Sequence, residues 1–221
     1  IHGNLQALRA VLADLGKESP DLVVVNGDLV NRGPSNAEVM ELVWDKGYII
    51  TLGNHDDLVR KFVEHDVELP EHYFTDPFWK GLEWCAKQLE RTGWVHAFRD
   101  LPMTHKIEID HAPTLLISHG SPRHYREGYS SYLSDEAISE ILQEYPADIL
   151  IGSHTHDPLE RTWGQHLILN TGAVGSPFNR DPRAQYLMMT LRENKWNYEF
   201  RKLEYNREVA LNAFETSGYL Q

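Results

Sequence analysis

An α/β fold built on a partly parallel sheet is what this sequence predicts, and three observations carry the prediction. The first third alternates a helix-period segment with short β-favouring runs. Such runs end repeatedly in His, Asp or Asn beside Gly, both here and further along the chain. Of the 221 residues, 41% are hydrophobic, enough for a substantial core in one large α/β domain or two small ones. Alternating helix and strand give a parallel or mixed sheet covered by helices. Open sheets of that kind place their ligands where strands end and the chain turns.

Residues 4–15 carry Leu5, Leu8, Val11, Leu12 and Leu15 at helical spacing, with Asn4 as the cap and Gly16 as the stop. Leu22-Val23-Val24-Val25 reads as a buried strand. Ser35 with Glu38 forms a capping box ahead of Val39, Leu42 and Val43, and Gly47 ends that helix. Tyr48–Leu52 is the next strand. Residues 57–103 change character, becoming rich in charge and in aromatics such as Phe62, Tyr73, Trp79 and Trp84. Two or three helices are expected there, broken at Pro70 and Pro77, either capping the site or packed on the sheet edge. Strands resume at Lys106–Asp110 and Thr114–Ser118. Ser134 caps a helix at Asp135–Tyr145 whose first turn is acidic. Strands follow at Asp148–Ile151, His166–Asn170, Gln185–Leu191 and Trp196–Leu203, the last two joined by a hairpin turn at Glu193-Asn194-Lys195. A final helix lies near Arg207–Glu215. With no internal repeat, low-complexity tract or linker in sight, a single domain over residues 1–221 is the simplest organisation.

Composition narrows the function. Apolar runs stay far short of the roughly 18 residues of a membrane span. The net charge of −12 and the lack of a basic stripe argue against clamping long nucleic acid. A small phosphate compound remains compatible, because bound cations add charge that a sequence count omits. Cys85 is the only cysteine. It can form no internal disulfide, which fits a cytoplasmic protein.

The chemistry concentrates in five segments: Ile1-His2-Gly3-Asn4, Asn26-Gly27-Asp28, Gly53-Asn54-His55-Asp56, Ser118-His119-Gly120 and Gly152-Ser153-His154-Thr155-His156. A mixed His and carboxylate set suits Mn, Fe, Zn, Ni or Co better than Ca or Mg. Two such ions roughly 3.5–4 Å apart can share a carboxylate and clamp the oxygens of an in-line displacement at phosphorus. A site of this kind needs several His, one bridging Asp and a proton donor for the leaving oxygen.

In this order and spacing the segments resemble the calcineurin-like metallophosphoesterases, most closely their compact bacterial and archaeal phosphodiesterase-type branch. That branch also has stretches similar to Asn170-Thr171-Gly172-Ala173-Val174-Gly175-Ser176-Pro177 and Asp181-Pro182-Arg183-Ala184. The resemblance implies a four-layer α/β/β/α sandwich of two mixed β-sheets. It also implies a phosphodiesterase or phosphatase that hydrolyses its substrate with water activated between two divalent transition-metal ions. His2, Asp28 and His156 would hold the first ion and Asn54, His119 and His154 the second, with Asp28 bridging. His55 would protonate the leaving oxygen, oriented by Asp56, and Asn4 would touch a substrate phosphate. The family pattern is Asp-x-His, and its Asp would fall just before Ile1. A short β-strand ending in Asp is therefore expected ahead of Ile1 in the natural protein. Failing that, the first ion has lost a ligand.

Gly27-Asp28-Leu29-Val30-Asn31-Arg32-Gly33-Pro34 further resembles a segment of protein Ser/Thr phosphatases and symmetrical diadenosine tetraphosphate hydrolases, in which Arg holds the substrate phosphate. Arg32 is assigned that role here, because a guanidinium matches phosphate oxygens bidentately. The partner expected is a small phosphoester, with nucleotides, diadenosine polyphosphates and phosphoproteins all in range. The competing reading is a non-catalytic protein-binding scaffold on the same fold, like the retromer subunit. Retention of His55 favours the enzyme. His65, His72, His96, His105, His111 and His166 lie in no motif and are read as structural or exposed. Arg123 and His124 directly follow a ligand motif, but a place outside the pocket is favoured for them. The aromatics of residues 57–103 are read as core, and the 170–177 stretch as a turn beneath the site.

Overall fold

The computed structural model of the protein describes residues 1–219. Its elements in chain order are α1 (Leu5–Glu18), β1 (Val24–Asn26), α2 (Asn36–Trp44), β2 (Ile49–Thr51), α3 (Asn54–Val63), α4 (His72–Thr75), α5 (Lys80–Thr92), β3 (Thr104–Ile107), β4 (Leu115–Ser118), α6 (Asp135–Glu144), β5 (Ile149–Gly152), β6 (Leu159–Trp163), β7 (His166–Asn170), β8 (Ala184–Arg192), β9 (Lys195–Leu203) and α7 (Arg207–Thr216). Short 3₁₀ turns at Pro77–Trp79 and Trp94–Asp100 bracket α5.

Five strands form one mixed sheet in the order β3-β4-β5-β7-β6, with β4, β5 and β7 parallel and the two edges antiparallel. Against it lies a second layer made of two ladders, the parallel pair β1-β2 and the antiparallel hairpin β8-β9. The alternation of side chains along the central strands explains the layering. Leu115, Ile117, Ile149, Ile151 and Leu169 face Val24, Leu187, Met189, Trp196 and Phe200 of the second layer. Leu116, Leu150 and Ile168 point the other way, onto Ile138 and Ile141 of α6. Beyond the second layer, α1 packs Ala7 and Val11 near Ala184, while Val39, Met40, Val59, Cys85 and Leu89 join α2, α3 and α5 in the largest core cluster. The result is the α/β/β/α sandwich.

Local chemistry sets the element ends. Ser134 Oγ accepts from Ala137 N–H at 3.2 Å and starts α6 as expected. The β8–β9 hairpin turns on Glu193 and Asn194, both at positive φ (49° and 60°), the geometry that a two-residue hairpin loop requires. Four expectations shift. Gly16 does not stop α1, which runs to Glu18 and closes on Ser19 in the left-handed conformation. Ser35 precedes α2 but makes no side-chain cap, so no capping box forms with Glu38. β6 has no counterpart in the sequence reading, since its half-buried, half-exposed pattern in Leu159-Glu160-Arg161-Thr162-Trp163 marks a polar edge strand. β1 is shorter than the run that foretold it, and its residues are only half-buried. It borders a groove of about 1000 Å³ shared with Ile117, Leu187 and Met189.

Residues 57–103 form helices broken near Pro70 and Pro77. Their aromatics stack largely on one another, Phe62 on Phe74 at 4.7 Å and Tyr73 on Trp79 at 4.0 Å between ring centroids, and they pack against the α2–α3 core.

Asn4, assigned from the resemblance to a substrate phosphate, is fully occupied within the fold. Its Oδ1 accepts from Ala7 N–H at 3.1 Å and caps α1. Its Nδ2 donates to Gly175 O at 3.1 Å and to Tyr205 OH at 3.3 Å. Asn4→Ala removes the cap and both ties, and is expected to lower stability by about 1–2 kcal/mol. Denaturant titration of the variant checks this. An unchanged midpoint would mean that the side chain is free for another task.

Candidate functional site

The site assembles where β1, β2, β4 and β5 end on the same side of the two layers. Each turn is tied to the next through the backbone. His2 N–H donates to Asp28 O at 2.9 Å and Gly3 N–H to Leu29 O at 2.9 Å. Ser153 and His154 N–H groups both donate to His119 O, at 2.8 and 2.9 Å. Asn26 bridges the two layers: its Nδ2 donates to Ser118 O at 2.8 Å and to Ser153 Oγ at 2.7 Å, while its Oδ1 accepts from Thr51 Oγ1 at 2.7 Å. The turns are tight enough that a Cβ on Gly53 would stand 2.1 Å from Asp28 N and 2.3 Å from its Oδ1.

These turns bring His2, Asp28 and His156 into one trio, and Asp28, His119 and His154 into a second. Within each trio the ligand atoms lie within 4.8 Å of one another. Asp28 belongs to both. Its Oδ2 is buried, has no hydrogen-bond partner, and stands 3.3 Å from both His2 Nε2 and His119 Nε2. Asn54 Oδ1 joins at 3.1 Å from His119 Nε2. All six residues that the resemblance assigned to metal binding are therefore brought together.

The tautomers decide what this cluster can hold. Backbone carbonyls accept at three of the Nδ1 atoms: Val30 O at His2 (3.2 Å), Asn26 O at His119 (2.8 Å) and Ser176 O at His156 (2.6 Å). A carbonyl only accepts, so each Nδ1 carries a proton, and in the neutral ring each Nε2 presents a lone pair. His2 and His156 Nε2 then face each other at 3.1 Å with no proton between them. His154 Nδ1 approaches His119 Nε2 at 3.3 Å. Converging lone pairs around a buried carboxylate repel one another unless a cation sits among them, and carbonyl-anchored imidazoles are how such ligands are usually oriented. The donor set thus fits divalent metal.

Ionisation follows the same pattern. Burial pushes His156 down to about 3 and His154 down to about 4, and also lowers His2, so these rings stay neutral. His119 is the exception: burial is the largest influence and acts to lower it, but the charge of Asp28 beside it outweighs burial and raises that ring, so that without a metal a proton stands in for the cation there. For Asp28 itself burial opposes ionisation. His119 and His2 together still hold the carboxyl well below the usual range.

His55 stands beside the cluster, its ring edge-on to His2 at 4.9 Å between centroids. The expected support from Asp56 is replaced by another residue. Asp56 turns inward, where its Oδ1 accepts from Leu29 N–H (2.9 Å) and Val30 N–H (3.3 Å) and its Oδ2 from Gly53 N–H (3.2 Å). It fixes the Asp28 turn and leaves the His55 ring to Asn31. Asn31 Oδ1 accepts from Arg32 N–H at 2.8 Å, so its Nδ2 is the group that donates to His55 Nδ1 at 3.0 Å. The His55 proton then sits on Nε2. Asn31 is held in turn by Asn36, whose Oδ1 accepts from Asn31 N–H at 2.8 Å.

A cavity of about 310 Å³ opens over the cluster, lined by Asp28, Arg32, Asn54, His55, His154, Thr155, His156 and Phe178. Arg32 is exposed at its rim, and among the described residues no carboxylate pairs with it. Arg123 is turned away into pairs with Glu127 and Glu140, and neither it nor His124 lines the cavity. The 170–177 stretch does pass under the site, where Ser176 O anchors His156. Asn31 and Phe178 escaped the sequence reading. Asn31 is an unremarked position inside the Asp28–Arg32 segment, and Phe178 follows directly on Pro177, where the recognised stretch stops.

A model of the calcineurin-like phosphoesterase family matches residues 1–158, and the chain belongs to that family. It is similar to a metallophosphoesterase from Sphaerobacter thermophilus, at 25% identity and a TM-score of 0.76 over 99% of this chain and 91% of that one. A hypothetical protein from Pyrococcus horikoshii shares the fold, at 20% identity and a TM-score of 0.76 over 97% and 89% of the two chains. An uncharacterized protein of Methanocaldococcus jannaschii is 24% identical over 95% of this chain and 87% of its own length.

The Asn31 contact gives a direct test. Nitrogen chemical shifts of the His55 imidazole are expected to report Nε2 protonated and Nδ1 bare in the parent protein, and a mixture of tautomers in Asn31→Ala. A protonated Nδ1 in the parent would contradict the assigned network.

Proposed function

We propose that the protein is a metal-dependent phosphoesterase whose centre takes two divalent transition-metal ions. The observation that carries this reading is the buried Asp28 Oδ2, without a hydrogen-bond partner, standing between the Nε2 atoms of His2 and His119. His2, Asp28 and His156 would hold one ion, and Asn54, His119, His154 and the same Asp28 the other. When bound, the ions supply the charge that activates water and neutralises phosphoryl oxygens.

The chain's own groups supply the rest. Arg32, exposed at the cavity rim and paired with no carboxylate among the described residues, offers paired donors to the non-reacting phosphate oxygens. His55 directs Nε2–H toward the leaving oxygen; as the imidazolium it would give that proton up and return to the neutral ring. Burial above all, with His2, Arg32 and His119 nearby, pushes this imidazole down to about 3 against the opposing charge of Asp28, and a phosphoryl group arriving beside it adds the negative charge that raises it again. Asn31 sets the tautomer, and Asp56 rigidifies the Asp28 turn. The scaffold alternative is disfavoured because binding a protein partner needs neither a tautomer-locked His55 nor facing imidazoles beneath a cavity.

Turnover assays on phosphodiesters and phosphomonoesters with added Mn²⁺ test the proposal, with activity lost on chelation and restored by metal. His55→Ala is expected to keep its metal and lose about 10²–10⁴-fold in kcat on esters with poor leaving groups. Arg32→Lys should already lower kcat/KM, since a point charge cannot reproduce the paired donors. Metal-supplemented protein inert toward every phosphoester class would overturn the reading.

A further inference from the structure

Phe178 is 58% exposed, yet it stands on the wall of the cavity beside the metal-binding residues. Its ring centroid is 4.5 Å from that of His156, tilted by 37°, and Arg32 Cζ lies 5.6 Å from the same centroid. Its backbone N–H donates to His156 O at 3.2 Å, so the ring is placed by the site and not by a mobile tail. Phe78 and Tyr132 are still more exposed, but neither lines the cavity, so exposure alone does not single out Phe178. Its position does. The rest of the lining is polar or ionisable, apart from the methyl group of Thr155. A side chain needed only to shield His156 would gain by burying itself, whereas this one leaves most of its surface open at the mouth.

Size and charge agree with that placement. About 310 Å³ sits at the small end of ligand sites. It has room for a phosphoryl group and the carbons next to it, and a larger substituent must extend to the rim where Phe178 stands. The chain carries a net charge of −12, so an anionic substrate needs a local cation on entry, and Arg32 supplies it against the same ring. We propose that Phe178, backed by Arg32, is a stacking subsite for an aromatic ring that the substrate carries a sugar's length from the reacting phosphate, which makes nucleotides the substrate class. This rests on the phosphoesterase reading of the cavity. Stacking is tolerant of base identity, so the subsite selects for a base over no base and little between bases.

AMP and ribose 5-phosphate share sugar and phosphate and differ by the base. Their equilibrium binding is measured by calorimetry on Mn²⁺-supplemented full-length protein in the His55→Ala background, so that turnover does not consume the ligand. AMP is expected to bind about 10-fold tighter or more, in line with one stacked base. Adding Phe178→Leu should bring the two affinities to within about twofold, and Phe178→Tyr should restore the preference. Equal affinities in the Phe178 protein, no detectable AMP binding, or a preference that survives Phe178→Leu would each overturn the subsite. Preferential AMP binding through Phe178 in a protein that hydrolyses no phosphoester would sink the catalytic reading and leave the subsite standing. Hydrolysis with no preference would do the reverse.

Discussion

Three backbone carbonyls decide what this molecule can do. By accepting the Nδ1 protons of His2, His119 and His156, the carbonyls of Val30, Asn26 and Ser176 turn three Nε2 lone pairs toward the Asp28 carboxylate. While the imidazoles are neutral, none of the four groups can satisfy another, because all of them are acceptors. A cluster of acceptors buried without donors is costly in an apolar interior, and only positive charge relieves it. The sheet ends, the glycine turns and the inward-facing Asp56 all serve to hold that arrangement.

The backbone shows what this requires. His2, Asp28 and His156 adopt positive φ values of 56°, 51° and 59°, a conformation that costs side-chain-bearing residues about 1 kcal/mol or more each. They are kept there by the surrounding bonds: His2 and Gly3 to the Asp28 turn, Asp56 to Leu29, Val30 and Gly53, and Asn36 to Asn31. Asn31 and Arg32 share the same strained region, at 67° and 65°. Strain therefore gathers in the short stretch that must present a carboxylate, a tautomer-setting amide and a guanidinium to one cavity. Strain of this kind collects at functional sites where neighbouring structure over-determines it.

Much of this was legible in the sequence because period and punctuation speak for regular elements. The apolar spacing of α1, the Ser134 cap of α6 and the Glu193-Asn194 turn all reflect local chemistry that the chain carries with it. The recurrence of His, Asp and Asn at strand ends foretold which residues would meet. What stayed hidden depends on tertiary placement. Asp56 looked like the partner of His55 because it is next in sequence, but neighbouring residues at a helix start point in different directions, and the ring found Asn31 from another turn. Asn4 sat in a ligand motif, yet the first N–H groups of α1 needed an acceptor. β6 hid behind its charged side chains, as edge strands do. Phe178 carried no signal beyond its place after Pro177.

Crystallographic anomalous scattering from the Mn²⁺-loaded protein tests the central claim most directly. The account predicts two peaks on either side of Asp28 Oδ2, one among His2 and His156 and the other among Asn54, His119 and His154. Their appearance would leave His55 and Asp56 without metal contact. Loaded crystals showing no peak at Asp28, or a single ion that leaves one of the two trios unbound, would contradict it.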